Sequence, residues 1–379
     1  MESYWSIHWP EGLPEQVVLW VFLAALSIQC VYLLVFHAKV AAGPSSYAAP
    51  AELPPISVIV CARNEENNLL ELIPAIMDQD YPDFEVIVMN DNSYDESEEL
   101  LKALQVRYPG LRVTHLSEEK QRMHGKKFAL TLGIKAATND RVVLTDADCR
   151  PTSDQWLKQM ASGFDRTIVV GYSPYMKRKG PLNALIRYDA FFSALFYLGA
   201  AMRGITYMGV GRNLSYTRTI FFSVGGFKSH MHIMPGDDDL FINQVARRGN
   251  TSVVYSKESH MLTFPRETWS EWFAQKRRHF SVSGYYRLAH RLFLGIWPLS
   301  WLLMIAGASA ALALAAMPIV VVSVLVLRYL IQFSIFRRAS RWLGDRDISY
   351  LAWILEAVHM LLMPLVALWG LMVKPRIWR

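Results

Sequence analysis

Two long stretches without a charged side chain, residues 16–36 and 292–327, constrain this chain more than any other feature. Such runs suit helices in a bilayer, where each backbone polar group must find its partner within the segment. The first is long enough for one crossing. The second, at about 1.5 Å per residue, would extend over roughly 50 Å, too far for one ordinary span. Met317-Pro318 offers a break, so two helices are predicted, over residues 295–316 and 318–336. A last span is expected over residues 349–373. Composition agrees, since 52% hydrophobic and 19% charged residues is apolar for an enzyme in water.

Charge bias sets the expected orientation. Glu2, Glu11 and Glu15 precede the first run, and His37 and Lys39 follow it. The positive-inside rule then puts the N-terminus outside and residue 40 onward in the cytoplasm. An acidic start favours a retained anchor over a cleaved signal peptide. The basic loop at residues 337–346 is expected to be cytoplasmic, which carries the C-terminus outside. Lys374, Arg376 and Arg379 oppose that placement, and the side of the tail stays open. The expected division is an anchor over 1–40, a cytoplasmic domain over 41–291 and further spans over 292–379. The expected location is a bacterial inner membrane. The net charge of +6 reads as loops facing anionic lipid, not as nucleic-acid binding. Cys30, Cys61 and Cys149 lack zinc spacing and suggest no disulfide framework.

Arg328 and Glu356 interrupt the last two apolar runs. In an antiparallel hairpin they fall at similar depth, and a pair is tolerable in hydrocarbon where lone charges are expensive. Pairing is predicted; independent snorkelling is the alternative.

The middle of the chain has a different rhythm. Strands are predicted at residues 56–60, 85–89, 111–114 and 141–144, with helices at 65–78, 95–108 and 127–137. This alternation predicts an α/β domain with an open, mostly parallel sheet. Ligands bind such sheets at the carboxyl ends of the strands. Arg63-Asn64-Glu65, Asp91 and the pair Asp146/Asp148 each follow a strand.

Asp146-Ala147-Asp148 puts two carboxylates on one side of an extended chain. Hard oxygen ligands suit Mg²⁺ or Mn²⁺, which suit a diphosphate. A second acidic cluster, Gly236-Asp237-Asp238-Asp239, offers a spare carboxylate for proton abstraction. No GxGxxG follows the first strand, and Gly125-Lys126 lacks the spacing of a phosphate loop. A dehydrogenase or nucleotide triphosphatase is therefore disfavoured.

Taken in order, these motifs resemble those of the family 2 glycosyltransferases, membrane-bound enzymes with a GT-A fold that include ceramide glucosyltransferase and the cellulose and hyaluronan synthases. The match runs from about residue 54 to 285. It includes Val60 to Glu65, Asn90-Asp91-Asn92-Ser93-Tyr94-Asp95, Gly125-Lys126-Lys127-Phe128-Ala129-Leu130, the Asp-x-Asp motif, Gly209-Val210-Gly211-Arg212-Asn213, Val224-Gly225-Gly226-Phe227 and Gln275-Lys276-Arg277-Arg278-His279. The resemblance implies that Asp91 contacts uracil and ribose, although a turn-capping aspartate has the same look. It implies that Ala62 and Glu65 line the nucleotide pocket and that Lys126 neutralises diphosphate charge. Plain alternatives are a helix-start acid for Glu65 and a solvated lysine for Lys126. Asp148 would bind the metal, and Asp146 the metal or the ribose. Asp238 would be the base, with Asp237 in place of the family's Glu and Asp239 as a helix-start acid. One base and no nucleophile imply direct displacement with inversion.

Gln275 and Arg278 share a helix face and would grip the diphosphate. Gly211, Asn213 and His279 would lie on the acceptor side. His279 replaces the family's Trp, which weakens a processive reading, and a structural histidine is an equal alternative. His260 is a possible metal ligand, though isolated histidines are more often structural. Residues 181–203 and 269–287 are expected to dock at the membrane surface, with core packing the alternative for the first.

The leading expectation is an inverting transferase moving one sugar from a UDP-linked donor to a lipid or lipid-linked acceptor. The rivals are a processive polysaccharide synthase and a non-catalytic membrane scaffold; a transporter is disfavoured because the polar chemistry lies outside the spans.

Overall fold

The computed structural model describes residues 9–44, 52–116 and 125–372. Its elements are, in order, α1 (Leu13–Val31), α2 (Ala38–Ala41), β1 (Ile56–Ala62), α3 (Glu66–Met77), β2 (Phe84–Asp91), α4 (Ser97–Arg107), β3 (Leu111–Leu116), α5 (Lys126–Ala136), β4 (Arg141–Asp146), β5 (Cys149–Pro151), α6 (Trp156–Ala161), β6 (Ile168–Gly171), α7 (Pro181–Ala201), β7 (Leu214–Thr217), α8 (Arg218–Ser223), α9 (Asp239–Val245), β8 (Thr251–Val254), β9 (Met261–Thr263), α10 (Trp269–Ser283), α11 (Leu288–Ala313), α12 (Pro318–Leu343) and α13 (Ile348–Met372).

Seven strands form one sheet in the order β3-β2-β1-β4-β7-β6-β8. All its pairings are parallel except those of β7 with β4 and β6. β1 reads as a continuous apolar run because both of its faces are covered. Val58 and Val60 pack into one core, while Ile59 packs into the other. In register, Cys61 lies beside Asp146 and Ala62 beside Asn90. The ends of β1, β2 and β4 thus meet along one rim, where Asn90, Asp91 and Asp146 lie. β5 and β9 pair separately as a two-stranded sheet.

Among the described residues, four helical stretches are long and apolar enough to cross a membrane: Leu13–Ala41, Leu288–Ala313, Pro318–Leu343 and Ile348–Gly370. A π-helical turn, Tyr32–His37, links α1 to α2 within the first. The break between α11 and α12 falls where Met317-Pro318 predicted it. Met317 takes a left-handed φ of 52° there, and Pro318 opens the next helix.

Arg328 and Glu356 pair as expected, with Arg328 Nη2 3.0 Å from Glu356 Oε1 and both side chains fully buried. The network reaches further than the hairpin. Arg328 also donates to Gln29 on α1 at 2.7 Å, and Gln29 in turn donates to Ser300 on α11 at 2.8 Å. All four long helices are therefore cross-linked through one buried charge pair.

Two expectations need correction. Residues 337–343 are not loop: α12 continues to Leu343 and stops at Gly344, whose φ of 86° suits glycine. α7 is not a surface-docked helix. Phe191, Phe192, Leu195 and Phe196 are buried, and the helix packs against α13, the π-helical turn Tyr32–His37 and α2. Arginines at the ends of an aromatic helix mark a core helix as well as an interfacial one. Here Arg187 is itself buried and bound to Asp345 and Asp347. Lys374, Arg376 and Arg379 lie outside the described residues.

Candidate active site

The site sits on the rim where β1, β2 and β4 end. Asp146 is the last residue of β4, and Asp148 follows after one buried residue, Ala147. Lys126 begins α5 directly after Gly125, whose φ of 101° turns the chain into the helix. Gly236, with φ 97°, does the same before Asp237. A small cavity gathers Lys126, Asp146, Gly211, Asp237 and Asp238, floored by Cys61 and Leu130.

Lys126 Nζ lies 2.7 Å from Asp146 Oδ1 and 2.9 Å from Asp237 Oδ2. It is no solvated lysine. Burial alone would lower the ammonium, but Asp146, Asp237 and Asp238 outweigh it and raise Lys126 well above its ordinary value. Burial likewise pushes Asp237 up, and Lys126 reverses this and holds it below the usual range.

Asp238 caps α9. Its Oδ1 accepts from the Asp239 N–H and its Oδ2 from the Gly211 N–H, both at 2.7 Å. A side chain at position 211 would sit 3.3 Å from that carboxylate, so glycine permits the close approach. Burial, then the charge of Asp237, raises Asp238 above the ordinary carboxylate value despite these bonds. A carboxylate so perturbed is a better proton acceptor and keeps lone pairs free. Asp239 is buried, accepts from the Tyr286 hydroxyl at 2.8 Å, and is pushed up to about 7 by burial and by Asp238. It begins α9 as expected but faces the core, away from that cavity's lining.

Asp148 is raised by burial and by the neighbouring charge of Asp146, with Arg212 and Arg266 opposing. Crowded carboxylates of this kind favour a bound cation. Among the described residues no group of three or more His, Cys, Asp or Glu could hold a metal ion together. Asp146 and Asp148 fit a divalent ion that draws its remaining oxygens from a ligand, as Mg²⁺ commonly does. His260 is not part of such a set: it is buried, with Nε2 3.2 Å from the Tyr255 carbonyl, and its ring lies against Tyr172.

Other expected residues distribute unevenly. Ala62 ends β1 and is buried; Asp91 ends β2 at 2% exposure. Glu65 caps α3 and accepts from Asn68 at 2.6 Å, while Asp148 and Asp146 act on its charge. Gln275 Nε2 lies 3.5 Å from the Tyr175 hydroxyl, and Arg212 stacks over the Tyr175 ring at 4.8 Å. Tyr175 thereby joins α10, which carries Gln275, Arg278 and the exposed His279, to the turn beside Asp148. Asn213 does not face an acceptor. It is fully buried; its amide donates to the carbonyls of Tyr172 and Ser259 and accepts from Trp156 Nε1. Its conformational work is to pin the turn that presents Gly211.

Sequence reasoning missed Arg212, Arg266 and Tyr175. Arg212 was legible as the cation inside Gly209-Val210-Gly211-Arg212-Asn213. Tyr175 carried no local signal.

Comparison with known proteins agrees with this architecture. Residues 57–224 match the model of Glycosyl transferase family 2. Glycosyltransferase AglE of Haloferax volcanii is 29% identical over 189 residues, which cover 49% of this chain and 59% of that protein. Beta-monoglucosyldiacylglycerol synthase of a Nostoc species is 28% identical over 156 residues, 40% of this chain and 33% of that protein. The chain thus spans about a third to three fifths of the length of these relatives. A mannosyltransferase from Pyrobaculum calidifontis, solved in complex with GDP-Man and Mn²⁺, superimposes with a TM-score of 0.56 at 19% identity. That likeness covers 91% of this chain and 99% of the other, and it shows the GT-A fold.

Proposed function

We propose, for a chain whose residues 57–224 match the model of Glycosyl transferase family 2, that it transfers one sugar with inversion from a nucleotide-sugar donor to a lipid or lipid-linked acceptor at a membrane. The observation that carries the reading is the shared cavity of Lys126, Asp146, Asp237 and Asp238, with Asp148 next to Asp146. In this reading Asp238 takes the proton from the acceptor hydroxyl, whose oxygen then attacks the anomeric carbon as the bond to the nucleoside diphosphate breaks. The raised basicity of Asp238 favours that role. In the same reading Lys126 balances charge on the departing diphosphate. Gln275 and Arg278 supply further donors from α10. Ala62, Glu65 and Asp91 line the nucleoside side. Mg²⁺ or Mn²⁺ held by Asp148 and Asp146 would supply electrostatic stabilisation of the leaving group.

The lipid acceptor is supported by the four apolar helices among the described residues and by the likeness to the Nostoc relative, a beta-monoglucosyldiacylglycerol synthase. The catalytic domain is assigned to the cytoplasmic side from the charge bias around residue 40. The reading is tested by incubating purified protein with UDP- and GDP-linked sugars and a membrane lipid extract. Chromatography should show one new glycolipid carrying a single added sugar; no glycolipid with any donor, or a ladder of polymers, would contradict it.

A further inference from the structure

A second cavity, of about 780 Å³, lies between the catalytic domain and the turn that joins α12 to α13. Tyr175, which meets Gln275 and Arg212, is among its lining residues. Its other walls come from the ends of β5 and β9, from α7 and from residues 341–347.

The charges around it are unbalanced. Asp345 and Asp347 are already engaged: Arg187 binds both at 2.6 Å, and Lys177 lies 2.8 Å from Asp347. Among the described lining residues this leaves Lys257, Arg341 and Arg346, opposed by Glu258. The side chains of these three cations make no ion pair or hydrogen bond among the described residues. They come from segments more than eighty residues apart, so the fold brings them together across a domain boundary. Like charges gathered around a concavity repel one another, and an anion relieves that repulsion. Arginine forks and an ammonium are the groups that bind phosphate oxygens.

Position narrows the source of the anion. If α12 and α13 span the bilayer, on which this inference rests, their connecting turn lies at headgroup level. Basic groups there face the phosphates of anionic lipids. The three cations are exposed around a cavity that opens to solvent and is large enough for a phosphate and its glycerol.

We propose that this cavity binds the phosphodiester headgroup of an anionic membrane lipid, held by Lys257, Arg341 and Arg346. It is distinct from the donor site and from the acceptor hydroxyl.

The test is thermal unfolding of the full-length protein in neutral detergent, with added dihexanoyl phosphatidylglycerol, dihexanoyl phosphatidylcholine or inorganic phosphate. Phosphatidylglycerol should raise Tm in a saturable manner and phosphatidylcholine should not. The shift should be lost in R341Q/R346Q and kept in K102Q, a charge-loss control on α4. Equal shifts with both lipids, or a shift that survives in R341Q/R346Q, would overturn the proposal. So would an equal, variant-sensitive shift from inorganic phosphate, which would assign the cavity to a free anion. If the double variant does not fold, K257Q, on an exposed turn, serves in its place, with at least a several-fold weaker half-saturation expected. Sugar transfer assayed in parallel separates this outcome from failure of the glycosyltransferase reading, since neither variant touches the catalytic cleft.

Discussion

The ammonium of Lys126 lies 2.7 Å from the carboxylate of Asp146 and is shared with Asp237 at 2.9 Å. One cation thereby ties the strand end that carries the Asp-x-Asp motif to the loop that carries the proposed base. Removing it by Lys126→Met should lower kcat/KM by at least tenfold, about 1.4 kcal/mol of lost stabilisation. It should also change the pH profile. Lys126 also draws down the proposed base, Asp238, so without it Asp238 titrates higher and the acid limb of activity should move to higher pH. A rate–pH profile of wild type and variant checks both statements.

Asp239 provides a stability prediction. Burial and Asp238 raise its folded value to about 7 from an ordinary 3.8. The folded state therefore binds the proton more tightly than the unfolded state does. Stability referable to this group is fully present below about pH 4 and is lost as pH rises through about 7. The loss is on the order of a few kcal/mol. Asp239→Asn keeps the shape without the charge, so its Tm should fall less between pH 5 and pH 8 than that of wild type. Parallel Tm slopes for the two proteins would contradict the assignment.

The buried pair Arg328–Glu356 makes a third case. Glu356→Gln leaves a cation in the helix bundle without its counter-charge and should cost about 3–5 kcal/mol. Replacing both, as Arg328→Met with Glu356→Leu, should cost less, because neither charge is then stranded. Detergent unfolding of the single and double variants measures the difference, and the double variant proving the less stable would refute the pairing argument.

Asp189 on α7 binds both Lys276 on α10 and His359 on α13, the latter at 3.0 Å. It fixes the helix that carries Gln275 and Arg278. Asp189→Asn should raise the KM for the donor several-fold and should blunt the further effect of Arg278→Ala. Donor titration of both variants, singly and combined, checks this; additive effects would show that Asp189 does not act through α10.

Much of this was legible in the sequence because strands and spans announce themselves through unbroken local patterns. β1 and β4 are apolar runs buried on both faces, and each runs into polar residues at the rim, Arg63-Asn64-Glu65 after β1 and Asp146 at the end of β4. The break at Met317-Pro318 was equally local. What escaped were contacts across long separations. Arg187 reads as an interfacial arginine until Asp345 and Asp347, far along the chain, are seen against it. Asn213 reads as an acceptor contact until Trp156, Tyr172 and Ser259 are found to saturate its amide. Gln29 looks like a polar blemish in an apolar helix, yet it completes the environment of Arg328. No periodicity encodes such pairings.

The most direct test is the steady-state rate of acceptor-dependent nucleotide release by Asp238→Asn, measured beside its affinity for the donor. Asparagine caps a helix as well as aspartate does, so α9 should survive the change. The account predicts a rate at least a hundredfold below wild type with donor affinity nearly unchanged. A variant that releases nucleotide at the wild-type rate would show that Asp238 is not the base.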